Sequence, residues 1–362
     1  MTNRVHNFGA GPATLPIPVM EKIQKEFLDF QGLGASIVEI SHRLPVFKDI
    51  LDTTKSLFRE LTSLPHNYKI LFMHGGAQMQ FSAVPLNLMS LKSRKASYFI
   101  TGRWGVLAEK EARKYGKTKI LMDGKKFEYR QIPKYDTSSM YKDSSYAHLT
   151  TNNTLYGTRW HKFPNTGNVP LVADATSDIL SRIVDFSKFG LVYAGLQKNL
   201  GTSGTSIVVV REDLLGHALP ETPKLLDYAF IDEHNSLPNT INVFAVYVMR
   251  LVLEWVMDNG GVSEMEKMAK IKSNLLYEIL DSSKLYTSIA HRKHRSTNNV
   301  TFHLPEEKLL QKFLTESDKE GLFALKGHAS VGGVRASIYN AIPIEGVEAL
   351  ANFMKNFERK NC

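Results

Sequence analysis

The chain contains very little cysteine and no long, purely apolar run. Its single cysteine, Cys362, has no partner within the 362 residues, which excludes an internal disulfide framework and a cysteine-built zinc site. The longest uncharged stretch, residues 70–91, is interrupted by histidine, glutamine, proline and asparagine, which argues against a membrane span. The N-terminus lacks the apolar core of an export signal. We therefore expect a cytoplasmic protein with no membrane anchor, and we assign no metal site.

The chain length and the net charge further narrow the class of protein to which the chain can belong. A chain of 362 residues exceeds the roughly 100 to 200 residues of one domain, and its content of 43% hydrophobic and 22% charged residues is typical of globular proteins. The net charge is +9, but the basic clusters at 92–95 and 291–295 are short and contain no interleaved aromatic residues. A nucleic-acid partner is therefore not expected, and a pocket for small anionic metabolites is consistent with the charge.

Apolar runs that are typical of strands alternate with helical patterns between residues 69 and 210, which predicts an α/β fold with a mostly parallel sheet. A long helical pattern over 243–258 resumes after two glycines. The remaining sequence reads as strand, helix, strand and helix, which is typical of a small α+β unit. We predict an N-terminal segment plus a large domain over residues 1–260, and a small C-terminal domain over 261–362.

Two charged residues lie within or just after apolar, strand-like segments, where burying a charge costs free energy. Asp174 lies in PLVADAT and requires a cation or hydrogen bonds to offset its desolvation. Lys198 lies in AGLQKNLG, a tight, glycine-rich setting in which an amine can form an imine. The alternatives are a structural role for Asp174, as a helix cap or in an ion pair with Arg182, and a surface position for Lys198.

Two further motifs extend this pattern. HGGAQMQF predicts a strand, a glycine turn and a helix start whose free N–H groups favour a phosphate, although such a segment is often only a tight turn. In TGRWG, Trp104 could stack on a planar ring or simply lie in the core. Together, these motifs offer a binding site for a phosphate, an indole that could stack on a planar ring, an acid that could pair with a ring nitrogen and an amine that could react with an aldehyde. This combination indicates pyridoxal phosphate.

The chain resembles the phosphoserine aminotransferase family, in the class V branch of the fold-type I pyridoxal phosphate enzymes, nearly from end to end. This resemblance implies a large domain on a mostly parallel seven-stranded sheet, a small α+β C-terminal domain and a homodimer with shared active sites. The motifs that carry it are NFGAGPATLP, SHR, HGGAQMQF, TGRWG, NNTLYG, VADATSDILSR, AGLQKN, PNTINVF, RSTNNVTF and GHASVGGVRASIYNA.

The resemblance also implies residue roles. Lys198 would form the imine with the cofactor and carry the substrate's α-proton, and Asp174 would pair with the pyridine nitrogen. Trp104 would stack on the ring and Thr154 would hydrogen-bond its phenolic oxygen. The cofactor phosphate would be held by Ala77, Gln78 and Gln197, together with Asn239 and Thr240 from a second subunit.

The implied reaction transfers an amino group from L-glutamate to 3-phosphohydroxypyruvate, giving O-phospho-L-serine and 2-oxoglutarate in serine biosynthesis. The family often also performs the phosphohydroxythreonine step of pyridoxine biosynthesis. Arg335 would grip the α-carboxylate, and His42, Arg43 and His328 would accept the phosphate or the glutamate side-chain carboxylate.

Two positions depart from the family pattern. Many members have an arginine where this chain has Ala329, and some have one where Gln78 stands. Lys326 and Arg103 are candidate replacements because they are close in sequence to other site residues. A serine or alanine:glyoxylate-type aminotransferase, which acts on an unphosphorylated acceptor, is the main alternative. A cysteine desulfurase is disfavoured because Cys362 is its only possible nucleophile.

Overall fold

The computed structural model describes residues 4–361. Cys362, on which the cysteine arguments depend, lies outside the described residues. In chain order, the strands are β1 (His6–Asn7), β2 (Tyr68–His74), β3 (Lys95–Ile100), β4 (Lys117–Asp123), β5 (Tyr146–Thr150), β6 (Asn152–Asn153), β7 (Thr158–Arg159), β8 (Leu171–Asp174), β9 (Leu191–Gly195), β10 (Thr205–Arg211), β11 (Thr287–Ser288), β12 (Asn299–His303), β13 (Leu322–Phe323) and β14 (Val334–Ser337). The α-helices are α1 (Ile17–Glu26), α2 (Pro45–Thr62), α3 (Gly76–Leu88), α4 (Arg103–Ala112), α5 (Tyr228–Glu233), α6 (Val243–Asp258), α7 (Gly261–Ser282), α8 (Glu307–Lys319) and α9 (Ile344–Asn361).

A seven-stranded sheet in the order β2-β10-β9-β8-β5-β3-β4 forms the centre of the larger unit. Strand β10 runs antiparallel to both of its neighbours, and the other pairs are parallel. The middle strands are nearly continuous apolar runs because helices cover both faces of the sheet. The predicted α/β fold with a mostly parallel sheet is confirmed.

Two apolar layers enclose this sheet. On one face, α2 and α6 pack together, with Phe47, Phe58 and Tyr247 in their shared core. On the other face, α3 and α4 contribute Phe81 and Ala108 to a second cluster. Helices α1 and α2 were not predicted, although Pro45 at the first position of α2 and its buried residues at helical spacing are typical start and periodicity signals.

The smaller unit is built on the antiparallel sheet β11-β12-β14. Its core is rich in aromatic residues, including Phe302, Phe313 and Phe353. Strand β1 pairs with β13, and Phe8 belongs to the same core, so the N-terminal segment packs against C-terminal residues. The predicted strand-helix-strand-helix tail is confirmed, whereas the division at residue 260 stays a prediction.

The topology brings three chain segments to one edge of the large sheet. Strands β2, β8 and β9 run in the same direction, so their carboxyl ends lie at the same edge. These ends lead into the start of α3, into residues 174–178 and into residues 196–200. Open α/β sheets bind ligands at this edge.

Candidate active site

A cavity of about 290 Å³ lies at the carboxyl edge of the large sheet. It brings together residues from distant parts of the sequence, which all derive from the ends of β2, β3, β5, β8 and β9 or the segments that follow them. The predicted residues that line it are Ala77, Gln78, Trp104, Thr154, Asp174, Gln197 and Lys198.

Asp174 is the last residue of β8 and is only 4% exposed. Its Oδ1 accepts hydrogen bonds from the backbone N–H of Thr176 at 3.0 Å and from the Thr176 hydroxyl at 2.6 Å. Burial raises the pKa of Asp174, while the bonds from Thr176 and the charge of Lys198 act in the opposite direction. The alternative of an ion pair with Arg182 is wrong, because that guanidinium pairs with Asp178 at 2.8 Å.

Lys198 follows β9 in a turn and is half-buried. Its Nζ donates a hydrogen bond to the Thr154 hydroxyl at 2.6 Å, so the amine is held at the cavity wall and is not a freely solvated surface lysine. The backbone of Gly11, at φ +135°, passes close by, and a Cβ there would lie 3.5 Å from Cγ of Lys198. This close approach places the N-terminal glycine motif against the turn that carries Lys198.

The first turn of α3 forms another wall of the cavity. Gly75 precedes the helix at φ +85°, where a side chain would be strained. No side chain caps the helix and its first turn contains no acid. The N–H groups around Ala77 and Gln78 and the positive end of the helix dipole therefore remain available to an anion.

Buried polar atoms without partners surround the same cavity. Trp104 is half-buried, lines the cavity and also packs against the apolar cluster beneath α3 and α4, and its Nε1 has no hydrogen-bond partner within residues 4–361. The Oε1 atom of Gln197 also lacks a partner. Because buried polar atoms in native proteins are normally hydrogen-bonded, these atoms indicate a polar ligand.

Six predicted residues do not line this cavity. Arg335 lies on β14 and His328 in the turn that precedes it; both are half-buried. Within the single chain, Asn239 and Thr240 are exposed, and Asn239 lines a separate cavity of about 270 Å³ beside α3. The remaining two, His42 and Arg43, lie in the turn before α2.

Sequence reasoning missed several polar residues of the cavity. Thr176 fixes Asp174, and the Asp-Ala-Thr spacing is typical of a side chain that bonds the backbone two residues on. Asn152 also lines the cavity and donates hydrogen bonds to Ser177 Oγ at 2.8 Å and to Asn299 Oδ1 at 2.9 Å. No local pattern indicates that last contact, because it joins residues far apart in the sequence.

Comparisons with known proteins agree with this geometry. Residues 5–350 match the aminotransferase class-V family model. The phosphoserine aminotransferase of Bacillus cereus is 48% identical over 358 residues, 99% of each chain, and that of Lysinibacillus sphaericus is 45% identical over 362 residues, 100% of each chain. The chain belongs to the phosphoserine aminotransferase family.

Solved structures of this family superpose closely on the chain. The phosphoserine aminotransferase from Bacillus circulans subsp. alkalophilus matches at TM-score 0.96 and 41% identity over 100% of both chains. A pyridoxal phosphate-bound member from Trichomonas vaginalis matches at 0.92 and 32%, covering 97% of this chain and 100% of its own. An alanine–glyoxylate aminotransferase from Nostoc shares only the fold, at 0.76 and 15%, covering 99% of this chain and 96% of its own.

Residues 4–361 lack both a membrane-spanning helix and a cluster of metal-ligating side chains. None of the helices there is both long enough and apolar enough to cross a membrane. The same residues contain no group of three or more histidine, cysteine, aspartate or glutamate side chains arranged to hold a metal ion.

Proposed function

We propose that this aminotransferase uses pyridoxal phosphate to transfer the amino group of L-glutamate to 3-phosphohydroxypyruvate. The observation that carries the proposal is the pairing, in one cavity, of an amine with a buried carboxylate that has no cationic partner within hydrogen-bonding distance. The names of the relatives support the phosphorylated acceptor. The products would be O-phospho-L-serine and 2-oxoglutarate.

The cavity fits the cofactor on its own chemistry. The open end of α3 suits a phosphate, the indole of Trp104 suits a planar ring, and Asp174 suits a cationic ring nitrogen. Gln197 Oε1 and Trp104 Nε1, which lack partners, are available for polar contacts. When bound, pyridoxal phosphate would supply an aldehyde for imine formation and a ring that withdraws electrons from the substrate's α-carbon.

Lys198 would provide both the anchoring amine and the proton transfer. Its Nζ donates a hydrogen bond to Thr154 Oγ1 at 2.6 Å, so a hydroxyl fixes its position. An amine in this position can take the proton from the substrate's α-carbon and return it as a general base and acid.

Asp174 would stabilise the positive charge on the ring nitrogen of the cofactor. Thr176 occupies one carboxylate oxygen with two hydrogen bonds, which fixes the orientation of the other. Burial raises the pKa of Asp174, and a cation bound to the free oxygen would lower it again because opposite charges favour the ionised form. The carboxylate and a protonated ring nitrogen would therefore stabilise each other.

Arg335 would bind the α-carboxylate of the substrate. Its guanidinium is half-buried, its Nε is buried without a partner, and burial lowers its pKa. A carboxylate in contact with the planar guanidinium would satisfy two donors at once. His328 would contribute to the site for the second anionic group.

We also propose a homodimer. Large apolar side chains are exposed along the N-terminal segment, and such patches mark interfaces. The residues concerned are Ile17, Leu28, Leu33, Val38 and Leu44, each at least 44% exposed. His42 and Arg43 lie in the same segment, and exposed Asn239 and Thr240 would reach the partner's cofactor phosphate. The cytoplasmic location and the phosphohydroxythreonine step stay predictions.

An acceptor panel tests the reaction. With glutamate as donor, the holoenzyme is expected to give a higher kcat/KM with 3-phosphohydroxypyruvate than with hydroxypyruvate, pyruvate or glyoxylate. Its visible or near-ultraviolet cofactor absorbance should shift when glutamate is added. Equal or better turnover of an unphosphorylated acid would support the glyoxylate-type alternative instead.

A further inference from the structure

The antiparallel sheet of the smaller unit has two chemically different faces. Strands β12 and β14 pair side by side, and cross-strand partners point to the same side of a sheet. One face belongs to the apolar core and consists of Val300, Phe302, Val334 and Ala336. The other face, which we call the polar face, consists of Asn299, Thr301, Arg335 and Ser337. The residue proposed to bind the α-carboxylate, Arg335, therefore lies among polar neighbours that are at most 1% exposed.

The polar face is attached to the larger unit at two points beside the proposed cofactor cavity. Asn152, which lines the cavity, donates a hydrogen bond from Nδ2 to Asn299 Oδ1 at 2.9 Å. The hydroxyl of Thr301 donates to the carbonyl oxygen of Tyr156 at 3.0 Å. Both contacts reach residues 152–156, which also contain the hydroxyl that bonds the proposed anchoring amine. The strand pair of the smaller unit is therefore fixed to a wall of the cavity.

The amide of Asn299 joins this wall to β14. Its side chain is completely buried. Besides accepting from Asn152, it donates from Nδ2 to Ser337 Oγ at 3.1 Å and to the Tyr339 hydroxyl at 3.3 Å. Ser337 lies directly across from Asn299 and two residues after Arg335, on the same face. Both the oxygen and the nitrogen of this one side chain are thus used to connect β14 to the cavity.

The position of Arg335 depends on its strand. Its Nε is buried and has no hydrogen-bond partner within residues 4–361. Its backbone N–H donates to the carbonyl oxygen of Leu325 at 2.8 Å, and across the sheet it pairs with Thr301. A guanidinium binds a carboxylate through two parallel donors, so a small displacement of its backbone weakens both contacts. Whatever fixes β14 therefore fixes the proposed carboxylate site.

We propose that Asn299 is a positioning residue, which holds β14 so that Arg335 faces the α-carboxylate of a bound substrate. The inference rests on the proposed function, in which Arg335 binds that carboxylate. An amide suits this role because it accepts from Asn152 and donates to Ser337 and Tyr339 at the same time. An aspartate would lose both donated bonds and add a buried negative charge, and an alanine would lose all three bonds.

The variant Asn299→Ala tests this role in the holoenzyme. Glutamate and every α-keto acid acceptor carry an α-carboxylate, so we expect the KM of each to rise about tenfold, the value of one charge-assisted hydrogen bond. We expect kcat to change much less, because a loss of binding that is common to the ground state and the transition state affects KM alone. The preference for 3-phosphohydroxypyruvate over pyruvate should be retained, since both acceptors lose the same contact.

The matched control is Asn87→Ala, which removes a second buried asparagine from the other end of α3. Asn87 is 3% exposed. It donates to the carbonyl oxygens of Ala83 and Leu226 at 2.8 and 2.7 Å and accepts from the backbone N–H of Tyr228 at 2.8 Å. Both variants should lose thermal stability, but only Asn299→Ala should weaken binding of glutarate, a dicarboxylate that cannot undergo transamination. Calorimetric titration of the holoenzyme measures that affinity.

Two further variants keep the test decisive if Asn299→Ala folds poorly. Ser337→Ala removes only the acceptor on β14, and we expect a smaller rise in the KM for glutamate, about two- to tenfold. If Asn299 acts through Arg335, the double variant Asn299→Ala/Arg335→Ala should bind glutarate no more weakly than Arg335→Ala. The absorbance of the bound cofactor verifies that each variant is loaded.

The failures are distinguishable. If the unmodified holoenzyme does not react with glutamate, or if Arg335→Ala leaves the KM for glutamate unchanged, the proposed function or its carboxylate site fails, and the role of Asn299 fails with it. If Arg335→Ala raises this KM but Asn299→Ala and Ser337→Ala do not, the positioning role alone is overturned. It is also overturned if Asn87→Ala raises the KM equally, or if the effects of Asn299→Ala and Arg335→Ala on glutarate binding are additive.

Discussion

Two buried aspartates, four residues apart, have opposite surroundings. Asp178 lines a cavity of about 560 Å³ that does not include Lys198, forms an ion pair with Arg182 at 2.8 Å and accepts a hydrogen bond from Thr151. Asp174 lines the proposed cofactor cavity, and within residues 4–361 its carboxylate is hydrogen-bonded only by Thr176. The first carboxylate already has its counter-charge within the chain, whereas the second has none within hydrogen-bonding distance. This difference supports the proposal that Asp174 is the functional acid.

Two lysines show the same contrast. Lys272 is 2% exposed and donates to the carbonyl oxygens of Tyr339 and Ile342 at 2.8 and 2.9 Å. Its role is to hold a loop of the smaller unit. Lys198 makes one bond, to Thr154, and lines the cofactor cavity. We therefore propose that Lys272 is structural and that the chemistry takes place at Asp174 and Lys198, which have fewer partners.

The largest effect is expected at Lys198. Lys198→Arg keeps a positive charge but removes the amine that forms the imine and carries the proton. We expect transaminase activity to fall about 10⁴-fold, measured as glutamate-dependent formation of 2-oxoglutarate. Lys188→Arg, at an exposed position, is the control and should retain full activity; equal activity of the two variants would contradict the assignment.

The next effect concerns stability and tests the paired aspartate. Asp178→Asn leaves Arg182 buried without its counter-charge, so we expect the free energy of unfolding in urea to fall by about 3 to 5 kcal/mol. The double variant Asp178→Asn/Arg182→Met removes both charges and should recover part of this loss. If Asp178→Asn does not destabilise the protein, the ion pair between Asp178 and Arg182 does not stabilise this region.

Substitution of Asp174 should lower activity more than stability, whereas substitution of Asp178 should lower stability. Asp174→Asn removes a buried carboxylate that forms no ion pair within residues 4–361, so the stability of the cofactor-free protein should change little. Activity should fall roughly 10- to 100-fold, the value of one charge-assisted hydrogen bond to a ring nitrogen. A large loss of apoprotein stability with normal steady-state activity would reverse the roles assigned to the two aspartates.

The last prediction, which is the smallest when counted per pH unit, is a pH dependence of stability at Lys272. Burial lowers its pKa from 10.5 to about 7, so between these values the unfolded chain binds more protons and stability rises with pH. Lys272→Met lacks this contribution. The stability of the unmodified protein relative to this variant should therefore increase from pH 7 towards 10.5, by at most about 1.4 kcal/mol per pH unit. The exposed Lys319→Met is the control, and parallel pH profiles would contradict the expectation.

Some features were predictable because they follow from local physical constraints. Strands buried on both faces must be apolar, so β8 and β9 are visible as uninterrupted runs. Charged residues such as Asp174 and Lys198 are conspicuous next to them. The glycine turn before α3 is visible for a similar reason, since φ +85° at Gly75 requires glycine.

Other features depend on contacts between distant segments. The pairing of β1 with β13 and the hydrogen bond from Asn152 to Asn299 join parts of the chain that no local pattern connects. The alternative that paired Asp174 with Arg182 was wrong because Asp174 and Asp178 both precede the arginine, and only the turn geometry selects Asp178. The proposed roles of Asn239 and Thr240 would require a second subunit.

The most direct test of the central claim is the single half-reaction with glutamate. Holoenzyme is mixed with glutamate, and the change in cofactor absorbance is followed over time. The proteins compared are the unmodified enzyme, Asp174→Asn and Asp178→Asn, each at a temperature below its unfolding transition. The account predicts a slowed change in Asp174→Asn and a normal rate in Asp178→Asn. A normal rate in Asp174→Asn would contradict it, because the unpaired carboxylate would then have no role in the chemistry.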